Sequence, residues 1–213
     1  VDAGTVELVR SCGVVIISSA DLVAQFEATW TDEQWQTHLY AADKIGRLID
    51  DTFAEIGRRV RSAGSVSEYD IQQFMWDRYA ADGLVADHPP IVGVNANSAD
   101  PHYFPTASRT NHIRAGDFVL IDTWAKQNVP NSVYFDVTWT GFLGDRIPTE
   151  IQTVFNIVRD ARDAAIRFVQ DSIRAETPIC GWQVDDACRA VIQRAGFGDQ
   201  FIHRTGHSIH TNT

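Results

Sequence analysis

The chain has 213 residues, 44% apolar and 22% charged, which is the balance of an ordinary globular protein and not of a disordered one. A formal net charge of −10 argues against nucleic acid as a partner, because phosphate recognition needs a basic face. The most apolar run, residues 14–17, falls far short of the roughly 18–20 residues of a membrane span, so no membrane partner is expected.

Residues 1–27 read as a strand and a short helix. Residues 14–17 carry β-branched character, and Ser19 or Asp21 stands where a helix cap belongs. Thr31 with Gln34 has capping-box spacing, and Trp35, Leu39, Ala42, Ile45, Ile49, Phe53 and Ile56 recur at helical intervals to about Val60. Gly64 ends that helix. Ser65 with Glu68 suggests a second capping box, opening a helix through Ile71, Phe74, Met75 and Tyr79 to Gly83. From His88 to Gly144 short β-rich runs (91–94, 118–121 and 133–142) are broken by Pro, Gly, Asn and Asp, with a tight turn at 114–117. A long helix follows Pro148. Another carries Val184, Ala187, Cys188, Val191 and Ile192 and stops at Gly196 and Gly198, and the residues after it read as the beginning of a further strand. The simplest layering is an α+β domain, an antiparallel sheet covered by helices on one side.

Asp122 ends the apolar run 118–121, and Asp136 lies inside the aromatic, β-branched run 133–139. A carboxylate on a buried strand is costly unless it is paired, hydrogen-bonded or metal-bound. Two on neighbouring strands repel each other, and a divalent cation between them relieves that repulsion. Taken alone, the pair also fits two solvated strand ends. His207 adds a third ligand type in a stretch with His203 and His210, and an Asp/Asp/His set suits Mn²⁺, Zn²⁺, Co²⁺ or Fe²⁺. His102 follows a Gly/Asn/Asp-rich loop of the kind that faces a substrate, although an exposed loop histidine would look the same. Cys12, Cys180 and Cys188, odd in number and without CxxC spacing, suit a reducing, cytoplasmic setting.

Five ordered segments resemble the creatinase/aminopeptidase superfamily, nearest to Xaa-Pro aminopeptidase and prolidase. They are IVGVNANSADPHYFPT, GDFVLIDTWAK beside the family's GDLVLIDAG, YFDVTWT beside SDITRT, the helix IQTVFNIVRDARDAAIRFV, and FIHRTGHSIH beside HRTGHGIG. The resemblance implies a pita-bread fold holding two divalent metal ions, most often Mn²⁺, with Co²⁺ or Zn²⁺ as alternatives. It makes Asp122 the terminal ligand of one ion, Asp136 the bridge and His207 a ligand of the other. It gives His102 and His203 catalytic and substrate-binding roles on a peptide, whose N-terminal bond, often one before proline, is hydrolysed. Trp124 stands where the family usually has Gly, Trp139 where it has Arg, and His210 where it has Gly. The fourteen residues from Asp122 to Asp136 exceed the usual spacing.

The family's two further Glu ligands and another His lie beyond its HRTGH segment, whereas this sequence ends six residues after His207. The expectation is therefore a domain incomplete at its C-terminus that binds metal weakly and is inactive as it stands. Residues 1–27 are expected to be the tail of an N-terminal domain with its linker, and 28–213 the catalytic domain, with a homodimer in the full-length protein. Two other readings are a non-catalytic pita-bread module that binds proteins and a metal-free amidinohydrolase resembling creatinase. The intact Asp122, Asp136 and His207 count against both.

Overall fold

A computed structural model describes residues 2–212. Helix α1 (Ala3–Ser11) starts at Asp2, whose carboxylate accepts the Thr5 N–H at 2.9 Å. Helix α2 (Ala20–Glu27) follows, and the residues between the two helices are not a strand. The expectation for 14–17 is corrected: Val15 and Ile17 are 89% and 82% exposed. β-branched residues favour a pleated, half-buried surface, and among the described residues no strand pairs with 14–17 to supply one.

Helix α3 (Asp32–Ala63) begins with the Thr31–Gln34 capping box and ends at Gly64, whose φ of +78° is a left-handed cap that glycine adopts without steric cost. Ile45, Leu48 and Ile56 on its inner face are fully buried, each contributing about 1.5–3 kcal/mol of apolar transfer. The next cap differs from expectation. Ser67, not Ser65, caps helix α4 (Glu68–Ala81), accepting the Asp70 N–H at 3.0 Å. The reason is pairing: Val66–Ser67 form strand β1, antiparallel to the His112–Ile113 strand, which delays the helix by two residues.

Strand β2 is Leu84–Val85, β3 is Ile91–Val94, β4 is His112–Ile113, β5 is Phe118–Gln127 and β6 is Phe135–Phe142. β5 is the centre of the main sheet, flanked by β2 and β3 on one side and β6 on the other, all antiparallel. Its residues alternate strictly: Val119, Ile121, Thr123 and Ala125 are buried in one core with α3 and α4, while the intervening side chains are half-buried. At Gly141 of β6 a Cβ would lie 2.5 Å from the Phe53 ring, so only glycine lets α3 approach this closely. Helices α5 (Thr149–Arg174) and α6 (Gly181–Arg194) pack on each other through Ala161, Ala165, Cys188 and Ile192. Residues after the 3₁₀ turn Gly198–Gln200 form no strand, which corrects the expectation for 201–209, and Ile202 is 75% exposed. Among the described residues no helix is long and apolar enough to cross a membrane.

Candidate metal centre

The register of β5 on β6 decides where the two carboxylates sit. Asp122 is opposite Thr138 and Trp124 opposite Asp136, so Asp122 and Asp136 are diagonal neighbours. Both occupy the sheet face turned away from α3, since Ile121, Thr123 and Ala125 take the buried one. Thr138 Oγ1 donates to Asp122 Oδ1 at 2.8 Å. Burial pushes the Asp122 carboxyl above the ordinary carboxylate range, against the Thr138 bond and the nearby His207 charge. Asp136 is also pushed up, first by burial and then by the negative charge of Asp122, with His207 opposing.

His207 reaches this face from the irregular stretch after α6. Its Nε2 lies 3.4 Å from Asp136 Oδ2, and its Nδ1 lies 3.0 Å from the Ser208 carbonyl. A proton on Nδ1, donated to that carbonyl, leaves the Nε2 lone pair facing a carboxylate oxygen. Either a proton or a cation between them resolves that opposition, and Nδ1–H on a backbone carbonyl is how metal-bound imidazoles are commonly oriented. Two carboxylates raised by burial, Asp136 also by the charge of Asp122, with an imidazole beside them, form a donor set that fits a divalent cation. The three approach one another pairwise, and among the described residues no trio of His, Cys, Asp or Glu is gathered closely enough to enclose an ion.

The other two candidate residues stand apart from this set. His102 is exposed, with its backbone N–H donating to Asp100 Oδ1 at 2.9 Å. His203 is exposed, with Nδ1 3.1 Å from the Arg204 carbonyl. Neither makes a hydrogen bond or ion pair with Asp122, Asp136 or His207 among the described residues.

The pattern of metallopeptidase family M24 matches residues 41–213. The chain belongs to metallopeptidase family M24. Among its M24 relatives, the Xaa-Pro dipeptidase of Pyrococcus furiosus is 30% identical over 192 residues, covering 89% of this chain and 49% of that protein. The crystal structure of dipeptidase PepE from Mycobacterium ulcerans superposes with a TM-score of 0.69 at 24% identity, over 97% of this chain and 51% of that one. X-prolyl aminopeptidase from Caenorhabditis elegans, titled a cytosolic enzyme with a di-nuclear active site, superposes at 0.66 and 18% identity, over 82% of this chain and 28% of that one. At these identities the two structures speak for the fold, the M24 pita-bread architecture of helices on an antiparallel sheet. The chain spans about half the length, or less, of the curated relatives it matches.

Several residues that hold the segments bearing the candidate site residues belong to no motif. Asp185 and Arg189, one turn apart on α6, bond each other at 2.8 Å and together hold the segment bearing His203. Asp185 Oδ1 accepts the Thr205 N–H and hydroxyl, both at 2.8 Å, and Arg189 donates to the Phe201 and His203 carbonyls. Lys126 Nζ donates to the Thr211 carbonyl at 2.6 Å, Tyr134 N–H to His210 O, and Trp30 Nε1 to Ile209 O, which anchors 209–211 to β5 and to the residues just before β6 and α3. Glu68 is fully buried and accepts from Val94 N (2.7 Å), Asn97 Nδ2 (2.9 Å), Tyr103 Oη (2.5 Å) and Asn111 N (2.6 Å). It thereby fixes the loop that presents His102. The i,i+4 spacing of Asp185 and Arg189 is a visible signal, but it marks many solvated helix faces equally. Glu68 gives a misleading one, since its position fits a capping box.

Proposed function

We propose that this M24 chain supplies the metal-binding face of a peptidase that removes the N-terminal residue of short peptides, with Xaa-Pro bonds preferred. The observation that carries this reading is the placement of Asp122 and Asp136 on one open sheet face with His207 Nε2 against Asp136. The names of the relatives, among them an Xaa-Pro dipeptidase, support the substrate class.

In this reading Asp122, Asp136 and His207 would be the residues of this chain that hold two divalent ions. Two such ions, when bound, acidify a shared water and polarise the scissile carbonyl. The chain's own residues supply the rest. Thr138, donating to Asp122 Oδ1, fixes that carboxylate's rotation. The Ser208 carbonyl sets the tautomer of His207 so that Nε2 is the coordinating atom. The negative face attracts the peptide's ammonium end, and His102 and His203 contact the peptide as it settles.

The test is hydrolysis of Xaa-Pro against Xaa-Ala dipeptides by the intact protein, stripped with chelator and resupplied with Mn²⁺, Co²⁺ or Zn²⁺. Metal-restored cleavage with Xaa-Pro ahead is the expected result. No cleavage under any of the three metals would rule the reading out.

A further inference from the structure

Trp124 occupies the face that carries the two carboxylates. It is the direct cross-strand partner of Asp136 and lies two residues along β5 from Asp122. Cross-strand neighbours bring their Cβ atoms to about 5 Å, and residues i and i+2 of a strand are about 7 Å apart. The Trp124 side chain therefore leaves the sheet beside the proposed ligands. Its rotamer is also fixed, because Nε1–H donates to Asp87 Oδ1 at 2.9 Å. Asp87 is steadied in turn by His88, whose Nδ1 lies 3.0 Å from Oδ2. From below, Tyr79 holds the strand: its hydroxyl donates to the Trp124 carbonyl at 3.2 Å and lies 2.6 Å from Thr123 Oγ1.

A half-exposed hydrogen bond such as Trp124–Asp87 adds little to stability, so its effect is to orient. What it orients is a large, flat apolar surface bonded to Asp87 and carried on the sheet face that also bears Asp122 and Asp136. Such a surface suits a group that joins a positive charge to an apolar side chain. Asp87, the carboxylate of the three that the metal ions leave free, takes the charge, the indole face takes the carbon, and a cation near the ring is itself attracted to the π-face. The first residue of a peptide, an ammonium on an apolar side chain, has that composition. Glycine leaves the indole without contact.

We propose that Trp124, oriented by Asp87, is the specificity-determining wall for the substrate's amino-terminal residue, selecting apolar side chains. The proposal rests on the peptidase reading above. It is tested in the intact protein with Mn²⁺ by the ratio of kcat/KM for Leu-Pro to that for Gly-Pro. Trp124→Gly is expected to lower this ratio about tenfold, the scale at which one apolar contact discriminates, and to do so through KM. Trp124→Phe should keep most of the preference, and Asp87→Asn should lose part of it. Mn²⁺ affinity, measured by calorimetry, should stay within about twofold of the parent in all three, which separates a lost wall from a damaged site. An unchanged ratio in Trp124→Gly with normal Mn²⁺ affinity overturns the proposal. If the parent cleaves no peptide with Mn²⁺, Co²⁺ or Zn²⁺, the peptidase reading fails and the wall is judged by binding alone. Fluorescence quenching by Leu-Pro that is larger in the parent than in Trp124→Phe then supports it, and equal quenching overturns it.

Discussion

Removing the Glu68 carboxylate should loosen the segment that presents His102 and cost the fold several kilocalories. Its four accepted bonds come from donors of two kinds. The Val94 N–H and the Tyr103 hydroxyl belong to buried residues and stay dry when the acceptor is lost, whereas Asn97 and Asn111 are accessible enough to rehydrate. A buried donor left without a partner costs about 1–3 kcal/mol, and a rehydrated one about 0.5–1.5. The sum is offset in part because the carboxylate no longer has to be desolvated, so Glu68→Ala is expected to lose about 3–4 kcal/mol. Glu68→Gln keeps one oxygen, which can retain Val94 and Asn97. Its new NH₂ meets a Tyr103 hydroxyl that can turn to accept and an Asn111 N–H that cannot, for a loss of about 2 kcal/mol. Urea unfolding gives both values, and amide exchange at Val94 and Asn111 should rise more than at the core of α3. A loss below about 1 kcal/mol in Glu68→Ala would refute the idea that this carboxylate ties the loop down.

Asp122→Asn should raise the thermal stability of chelator-treated protein at neutral pH. A carboxyl whose folded pKa is raised binds more protons folded than unfolded, so its cost appears as pH rises through that range and vanishes in acid. The stabilisation should accordingly fade on titration to about pH 4, and a variant less stable than the parent at pH 7 would contradict the sign. Asp185 runs the opposite way: the Arg189 bond first, helped by the Thr205 bonds, holds its carboxyl down at about 2 against the opposing effect of burial. Its anchoring of 201–205 should persist above the ordinary carboxylate range and be lost as pH falls through about 2. Asp185→Asn should release the Thr205 amide to faster exchange at neutral pH, and unchanged protection there would remove Asp185 from the account.

Much of this architecture was legible in the sequence because periodicity and caps act locally. The Thr31–Gln34 box, Gly64, the turn at Gly116 and strands β3, β5 and β6 all follow from neighbours in the chain. Partner-dependent features were not legible. Residues 14–17 look like a strand and find no partner strand among the described residues, while His112–Ile113 forms a strand only because Val66–Ser67 lies beside it. The same division runs through the site. Asp122, Asp136 and His207 stand out as motif residues and meet at one sheet face, while His102 and His203 make no bond to them among the described residues. Glu68, Asp185 and Arg189 were missed because their role is to bond backbone groups of other segments, and no local pattern encodes that.

The central claim, that the Asp122/Asp136/His207 face works through bound metal, is tested most directly with Asp136→Asn. The substitution keeps the shape of the side chain that faces both Asp122 and His207. Release of proline from Leu-Pro by chelator-stripped, intact protein is followed as Mn²⁺ is titrated back, for the parent and for Asp136→Asn. The account predicts saturable, Mn²⁺-dependent release in the parent and a loss of at least about a hundredfold in the variant. Release that survives chelation, or an Asp136→Asn protein that responds to Mn²⁺ like its parent, would contradict it.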